Sequence, residues 1–191
     1  GDGVVDSNDR TIIGRGMPIH TGGFTNNLEY KGIDLSIFFQ WSYGNDVINY
    51  NRYKLENMTS RNANLLASAK DHWTPRIDNG DGTYTEGNYT NYLCRVKGDI
   101  GNINTSRVVE DASFLRLKNV QLGYNFPVKL IKRLGISSLR LYVSGQNLWT
   151  WTKYTGYDPE VSTRNSALTR GFDYSAYPKT TSYTFGVKLG L

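Results

Sequence analysis

The acidic opening of the chain, G-D-G-V-V-D-S-N-D at residues 1–9, is the stretch best suited to hold a cation. A calcium loop spaces its carboxylates at fixed positions, turns sharply at a glycine and adds one backbone carbonyl to the ligand set. Asp2, Gly3, Val5, Asp6 and Asp9 match loop positions five, six, eight, nine and twelve, which makes Asp2, Asp6, Asp9 and the Val4 carbonyl the candidate calcium ligands. The first two ligand positions would precede Gly1, and a turn-rich acidic loop is the alternative. Elsewhere catalytic chemistry is sparse. No Ser/His/Asp set, paired carboxylates or phosphate-cradling loop stands in a strand-end context, so no enzyme is expected. His20 and His72 lack Cys or Glu at metal spacing, and the lone Cys94 excludes an internal disulfide framework.

Two further groups suit binding. Trp149, Trp151, Tyr154 and Tyr157 cluster near one strand end, where they could stack on a sugar or anchor the chain at a membrane interface. Arg116, Arg140, Gln146 and Lys188 fall on the polar sides of alternating segments. The net charge of +5 comes from Lys and Arg scattered among Asp and Glu, without a basic run or a nucleic-acid motif. That distribution implies a mixed polar surface and no nucleic-acid partner.

The elements that must position these residues are strands. Tyr183, Phe185, Val187, Leu189 and Leu191 fall on one face of the last segment, and Ser182, Thr184, Gly186, Lys188 and Gly190 on the other. Small residues and one lysine on the polar face suit a crowded or water-filled lumen better than a solvated sandwich surface. Residues 33–43 alternate more strongly, with Ile33, Leu35, Ile37, Phe39, Trp41 and Tyr43 opposite Asp34, Ser36, Phe38, Gln40 and Ser42. Residues 21–30 precede them across a Lys31-Gly32 hairpin turn. Residues 113–126 change phase, which a bulge near Lys118 and Asn119 would repair. Pro127 and Gly135 bracket a short helix, and residues 138–150 form another strand with Leu139, Leu141, Val143 and Trp149 outward.

The fold expected is all-β: about five antiparallel C-terminal strands, near 21–30, 33–43, 113–126, 138–150 and 182–191, of a large transmembrane β-barrel. Residues 1–20 are read as an acidic, calcium-loop-like extracellular segment and 21–191 as the barrel segment. No run reaches the length of a transmembrane helix, so any crossing is by strands. A short helix is expected near Ala63 to Trp73 within the long connection 44–111. Taking Leu191 as periplasmic puts the long loops 44–112 and 151–181 outside and the short turns 31–32 and 127–137 inside, as outer-membrane barrels arrange them. No signal peptide is present, and the chain reads as the C-terminal piece of a longer protein. A charge at Leu35 or Val187 should then cost roughly 2–4 kcal/mol, whereas Ser36 and Gly186 should tolerate one.

Five stretches, 1–14, 31–40, 109–124, 139–160 and the terminal Y-T-F-G-V-K-L, carry a resemblance in order along nearly the whole chain. Together they resemble the end of SusC/RagA-type TonB-linked outer-membrane transporters. Closure on Leu191 rather than Phe departs from many such barrels. The resemblance implies an N-terminal plug within a barrel of about 22 strands. It also implies energy coupling through the TonB complex, a SusD-like surface lipoprotein over the mouth, oligosaccharide or peptide cargo, and residence in the outer membrane of a Gram-negative bacterium, against its lipid. The Arg116, Arg140, Gln146 and Lys188 side chains would line the lumen. The alternative is a soluble, calcium-dependent carbohydrate-binding β-sandwich, which would need protein to cover its apolar strand faces.

Overall fold

A computed structural model describes residues 8, 10–56, 62, 64–89, 105–161 and 170–191. In chain order its strands are β1 (His20–Tyr30), β2 (Ile33–Tyr43), β3 (Asp46–Asn49), β4 (Ile77–Asp78), β5 (Tyr84–Thr85), β6 (Val109–Asp111), β7 (Phe114–Asn125), β8 (Ser138–Thr152), β9 (Phe172–Asp173) and β10 (Ser182–Gly190). Two α-helices, α1 (Tyr50–Glu56) and α2 (Val128–Ile131), lie between them.

Five long strands make one antiparallel sheet in the order β1-β2-β7-β8-β10. Each joins its sequence neighbour among the long strands, the meander of an up-and-down barrel wall. The β1–β2 hairpin closes through Lys31 at φ 49° and Gly32 at φ 87°. Two consecutive left-handed residues give the turn whose twist matches that of paired strands. Between β7 and β8 the chain crosses by α2 and a 3-10 turn, Lys132–Leu134, that Gly135 ends at φ 73°. Pro127 opens that crossing, where its missing N–H costs nothing.

The register places the alternating residues face to face. Leu35 pairs with Leu122, Leu122 with Val143, and Val143 with Phe185, all on one side. Ser36, Gln121, Ser144 and Thr184 follow the same path on the other. The phase change in β7 is a bulge: Phe38 opposes Asn119 and Phe39 opposes Leu117, so Lys118 is left over. Across the other edge Leu117 opposes Trp149 and Asn119 opposes Gln146, and Asn147 takes φ 51°. One extra residue restores Leu115 and Leu117 to the face of Val120 and Leu122.

The sheet is a single layer, and its apolar face is bare. Phe185 is 80% exposed and Val187 66%. The buried apolar residues gather instead where the long loops meet the strand ends, around Val47, Ala112 and Tyr154. A small sheet in the order β6-β3-β9 carries this cluster. The sequence pattern did not reveal that sheet within connections 44–111 and 151–181. Asn49 accepts a hydrogen bond from the Arg52 amide at 3.0 Å and so starts α1, which Arg52 and Glu56 brace by an ion pair four residues apart. The helix expected near 63–73 is instead a 3-10 turn at Ala67–Asp71, preceding Pro75. Residues 10–20 are tied to the rest by backbone hydrogen bonds from Asp46 N to Arg15 O and from Ile19 N to Tyr43 O. No described helix is long and apolar enough to cross a membrane.

Candidate functional site: the charged face of the sheet

The polar face carries its charges in two groups, one near each end. Near the short turns, Arg140 on β8 reaches over β7 to Asp34 on β2, its Nε 3.2 Å from Oδ1 and its Nη2 in contact with Oδ2. Gly123 lies beneath this bridge; a β-carbon there would stand 2.6 Å from Asp34 Oδ1 and 2.7 Å from Arg140 Nη2. The pair exists because β7 has no side chain at that point. Lys188 is Arg140's register partner on β10 and is exposed on the same face, as is Gln146 opposite Ser182.

Near the long loops, Arg116 is the centre. Its register neighbours are Gln40 on β2 and Thr150 on β8, neither of which can neutralise it. Its countercharge comes from a loop. The segment after β8 folds back over the polar face, and Asp158 Oδ1 meets Arg116 Nη2 at 2.6 Å while Glu160 Oε2 meets Nη1 at 3.2 Å. Arg116 Nε donates to Thr150 Oγ1 at 2.9 Å, so all faces of the guanidinium are used. Arg116 and Asp158 are 2% and 3% exposed. Two amides, Glu160 N at 2.9 Å and Lys179 N at 3.1 Å, also donate to Asp158. Burial alone would raise its carboxyl pKa, but these amides and the guanidinium outweigh it and hold the value below the ordinary carboxylate range. Glu160 gathers Lys118, 3.8 Å away, and Lys179, which touches it directly. Lys118 Nζ donates to Gln40 Oε1 at 2.6 Å.

A second polar network ties the loops to one another. Glu110 accepts from Asn49 Nδ2 at 3.1 Å, Arg52 Nη1 at 3.3 Å and Thr155 N at 2.9 Å. Tyr154 O–H donates to the buried Asp173 at 2.6 Å, and burial, then that carboxylate, push the phenol's pKa far up. It stays protonated at any physiological pH.

The residues singled out from the sequence are therefore placed unevenly. Arg116, Arg140, Gln146 and Lys188 share the polar face, but Arg116 is covered by Asp158 and Glu160 rather than open to a lumen. Trp149, Trp151, Tyr154 and Tyr157 do not form one stacking site. Trp149 and Trp151 are half exposed on the apolar face opposite Leu117 and Leu115, Tyr154 is buried in the loop core, and Tyr157 is 78% exposed. Trp151, Trp41 and Tyr43 instead belong to one aromatic band at the long-loop end of the apolar face. Asp2, Val4, Asp6, Asp9 and Cys94 lie outside the described residues. Among the described residues no group of three or more His, Cys, Asp or Glu is arranged to hold a metal. Asp158 and Glu160 escaped sequence reasoning. The available signal was the charge mismatch itself: inward Arg116 and Lys118 have no acid opposite them on the neighbouring strands, so a loop must supply one.

No family model matches the chain. Its sequence is 39% identical over 194 residues to TonB-dependent receptor P3 of Formosa agariphila, covering 99% of this chain and 18% of that protein. It is 27% identical over 196 residues to TonB-dependent receptor SusC of Bacteroides thetaiotaomicron, covering 99% of this chain and 17% of that one. Its fold superposes on the structure of the RagAB peptide importer in the closed-closed state with a TM-score of 0.69, at 27% identity, over 98% of this chain and 20% of the other. The structure of the RagAB peptide transporter gives 0.68 at 30% identity, over 91% and 17%. These relatives are named as receptors and transporters, not as enzymes. The chain spans less than a fifth of the length of the curated relatives it matches.

Proposed function

We propose that this chain, which belongs to the TonB-dependent receptors of SusC/RagA type, builds one side of the wall of an outer-membrane importer. The single observation that carries the reading is the sheet itself: five strands in register, one face apolar and bare, the other charged, with β1 and β10 both open-edged. Neither water nor lipid accepts such edges, so further strands must complete the ring. The apolar face meets lipid and the aromatic band of Trp41, Tyr43 and Trp151 sits at one interface. The short turns at 31–32 and 127–137 lie on the periplasmic rim and the long connections outside, following the loop asymmetry of such barrels.

In this reading the loops meet a SusD-like lipoprotein and the cargo, an oligosaccharide or a peptide, and energy arrives from the TonB complex through parts of the receptor beyond this chain. The name of RagAB as a peptide importer favours peptides, and the likeness to SusC leaves glycans in play. Calcium belongs to the same proposal: Asp2, Asp6, Asp9 and the Val4 carbonyl would complete a loop whose first ligands are supplied upstream. Deleting Ser182–Leu191 from the complete receptor tests the wall. The deletion should abolish the folded, heat-modifiable form in outer membranes, and a normally assembled deletion mutant would refute the assignment.

A further inference from the structure

The two charged groups of the polar face differ in how well they are closed. Asp34 and Arg140 match one to one. At the other end three cations, Arg116, Lys118 and Lys179, face two carboxylates, Asp158 and Glu160. Arg116 spends Nη2 on Asp158 and Nε on Thr150, and its Nη1 meets the same oxygen, Glu160 Oε2, that faces Lys118 and Lys179, while Glu160 Oε1 accepts from Gln40 Nε2 at 3.5 Å. A carboxylate oxygen has about two lone pairs, and an ammonium has about three protons to donate. Lys118 stands 3.8 Å from that oxygen, beyond hydrogen-bond distance. The Lys118 and Lys179 side chains are 30% and 37% exposed on the open side of the face. Lys118 spends one proton on Gln40 Oε1 at 2.6 Å, and one positive charge of the group is left without a carboxylate on these two partly exposed lysines.

We propose that Lys118 and Lys179 form a subsite for an acidic group of the cargo, a carboxylate or a sulfate, and that Glu160 is the internal carboxylate which this group displaces. The Arg116–Asp158 pair positions the subsite by holding the loop on the sheet. The proposal rests on the reading that the polar face lines the lumen, and it names the cargo chemistry that such a lumen would favour.

The test uses the complete receptor purified in detergent, with inorganic sulfate as the probe and chloride at equal ionic strength as the control. Amine labelling followed by mass spectrometry gives the reactivity of Lys118 and Lys179, with exposed Lys129 as the internal reference. In Glu160→Gln, sulfate should slow labelling of Lys118 and Lys179 several-fold and leave Lys129 unchanged; the wild type, with Glu160 in place, should show less protection. Lys118→Gln should remove sulfate protection at Lys179. Equal slowing at all three lysines, or protection at Lys179 that survives Lys118→Gln, overturns the proposal. Labelling requires no transport, so this failure is distinguishable from failed assembly of the wall.

Discussion

Replacing Arg116 by Gln should release the loop that carries Asp158 and leave the sheet intact. Arg116 and Asp158 are nearly inaccessible, and removing one partner of a buried pair typically costs about 3–5 kcal/mol because the other charge stays behind unpaired. A released loop can carry Asp158 into water, which places the loss near the lower end, at about 3 kcal/mol. The loss falls on loop docking, because β7 remains laddered to β2 and β8 on both sides. At about 1.4 kcal/mol per tenfold, the amides of Glu160 and Lys179 should exchange with deuterium about a hundredfold faster in the variant. Peptides from β2 and β7 should be unaffected. Hydrogen exchange on the complete receptor reads both. If the two amides keep wild-type protection while the sheet loosens, Arg116 serves the wall and not the loop, and the reasoning is wrong.

Docking of the same loop should be independent of pH from 8 to about 5 and should fail only in acid. The Asp158 pKa is lowered on folding, so its contribution is complete above the unfolded value of about 3.9 and disappears as pH falls through the lower folded value; exchange at Lys179 against pH checks it. Gly123→Ala should break the Asp34–Arg140 bridge at a cost of about 1 kcal/mol or less, since both side chains are partly exposed; the change should be abolished in an Asp34→Asn background, as a double-mutant cycle would report. Gly32→Ala should cost about 1–3 kcal/mol in unfolding by urea, because φ is 87° and the new β-carbon would stand 2.7 Å from the Asn125 carbonyl oxygen. Tyr154→Phe should leave Asp173 buried with no donor and cost about 1–3 kcal/mol, seen as faster exchange in β3 and β9.

Much of the sheet was legible because each strand carries its own period-two pattern, and even the phase break in β7 named its bulge. The loops were not legible for the opposite reason. Asp158, Glu160, Glu110 and Asp173 act through contacts tens of residues away, and nothing in their neighbours' pattern predicts which of them is buried. Tyr154 looked like Tyr157 in sequence, and only packing separates a buried phenol from an exposed one. One expectation about tolerance also changes. Gly186 faces the polar side, yet a β-carbon there would lie 2.2 Å from the Tyr142 ring, so Gly186→Arg is no neutral control and Ser36→Arg alone remains as one.

The central claim is that the odd residues of β2 meet lipid and the even ones a water-filled lumen. Spin labels placed one at a time at Leu35, Ser36, Ile37, Phe38, Phe39 and Gln40 of the complete receptor in bilayers measure it directly, through relaxation by oxygen, which partitions into lipid, and by a water-soluble nickel chelate. The account predicts alternation with a period of two, with oxygen contact high at positions 35, 37 and 39 and low at 36, 38 and 40. Equal chelate access at both sets, or the opposite phase, would contradict it.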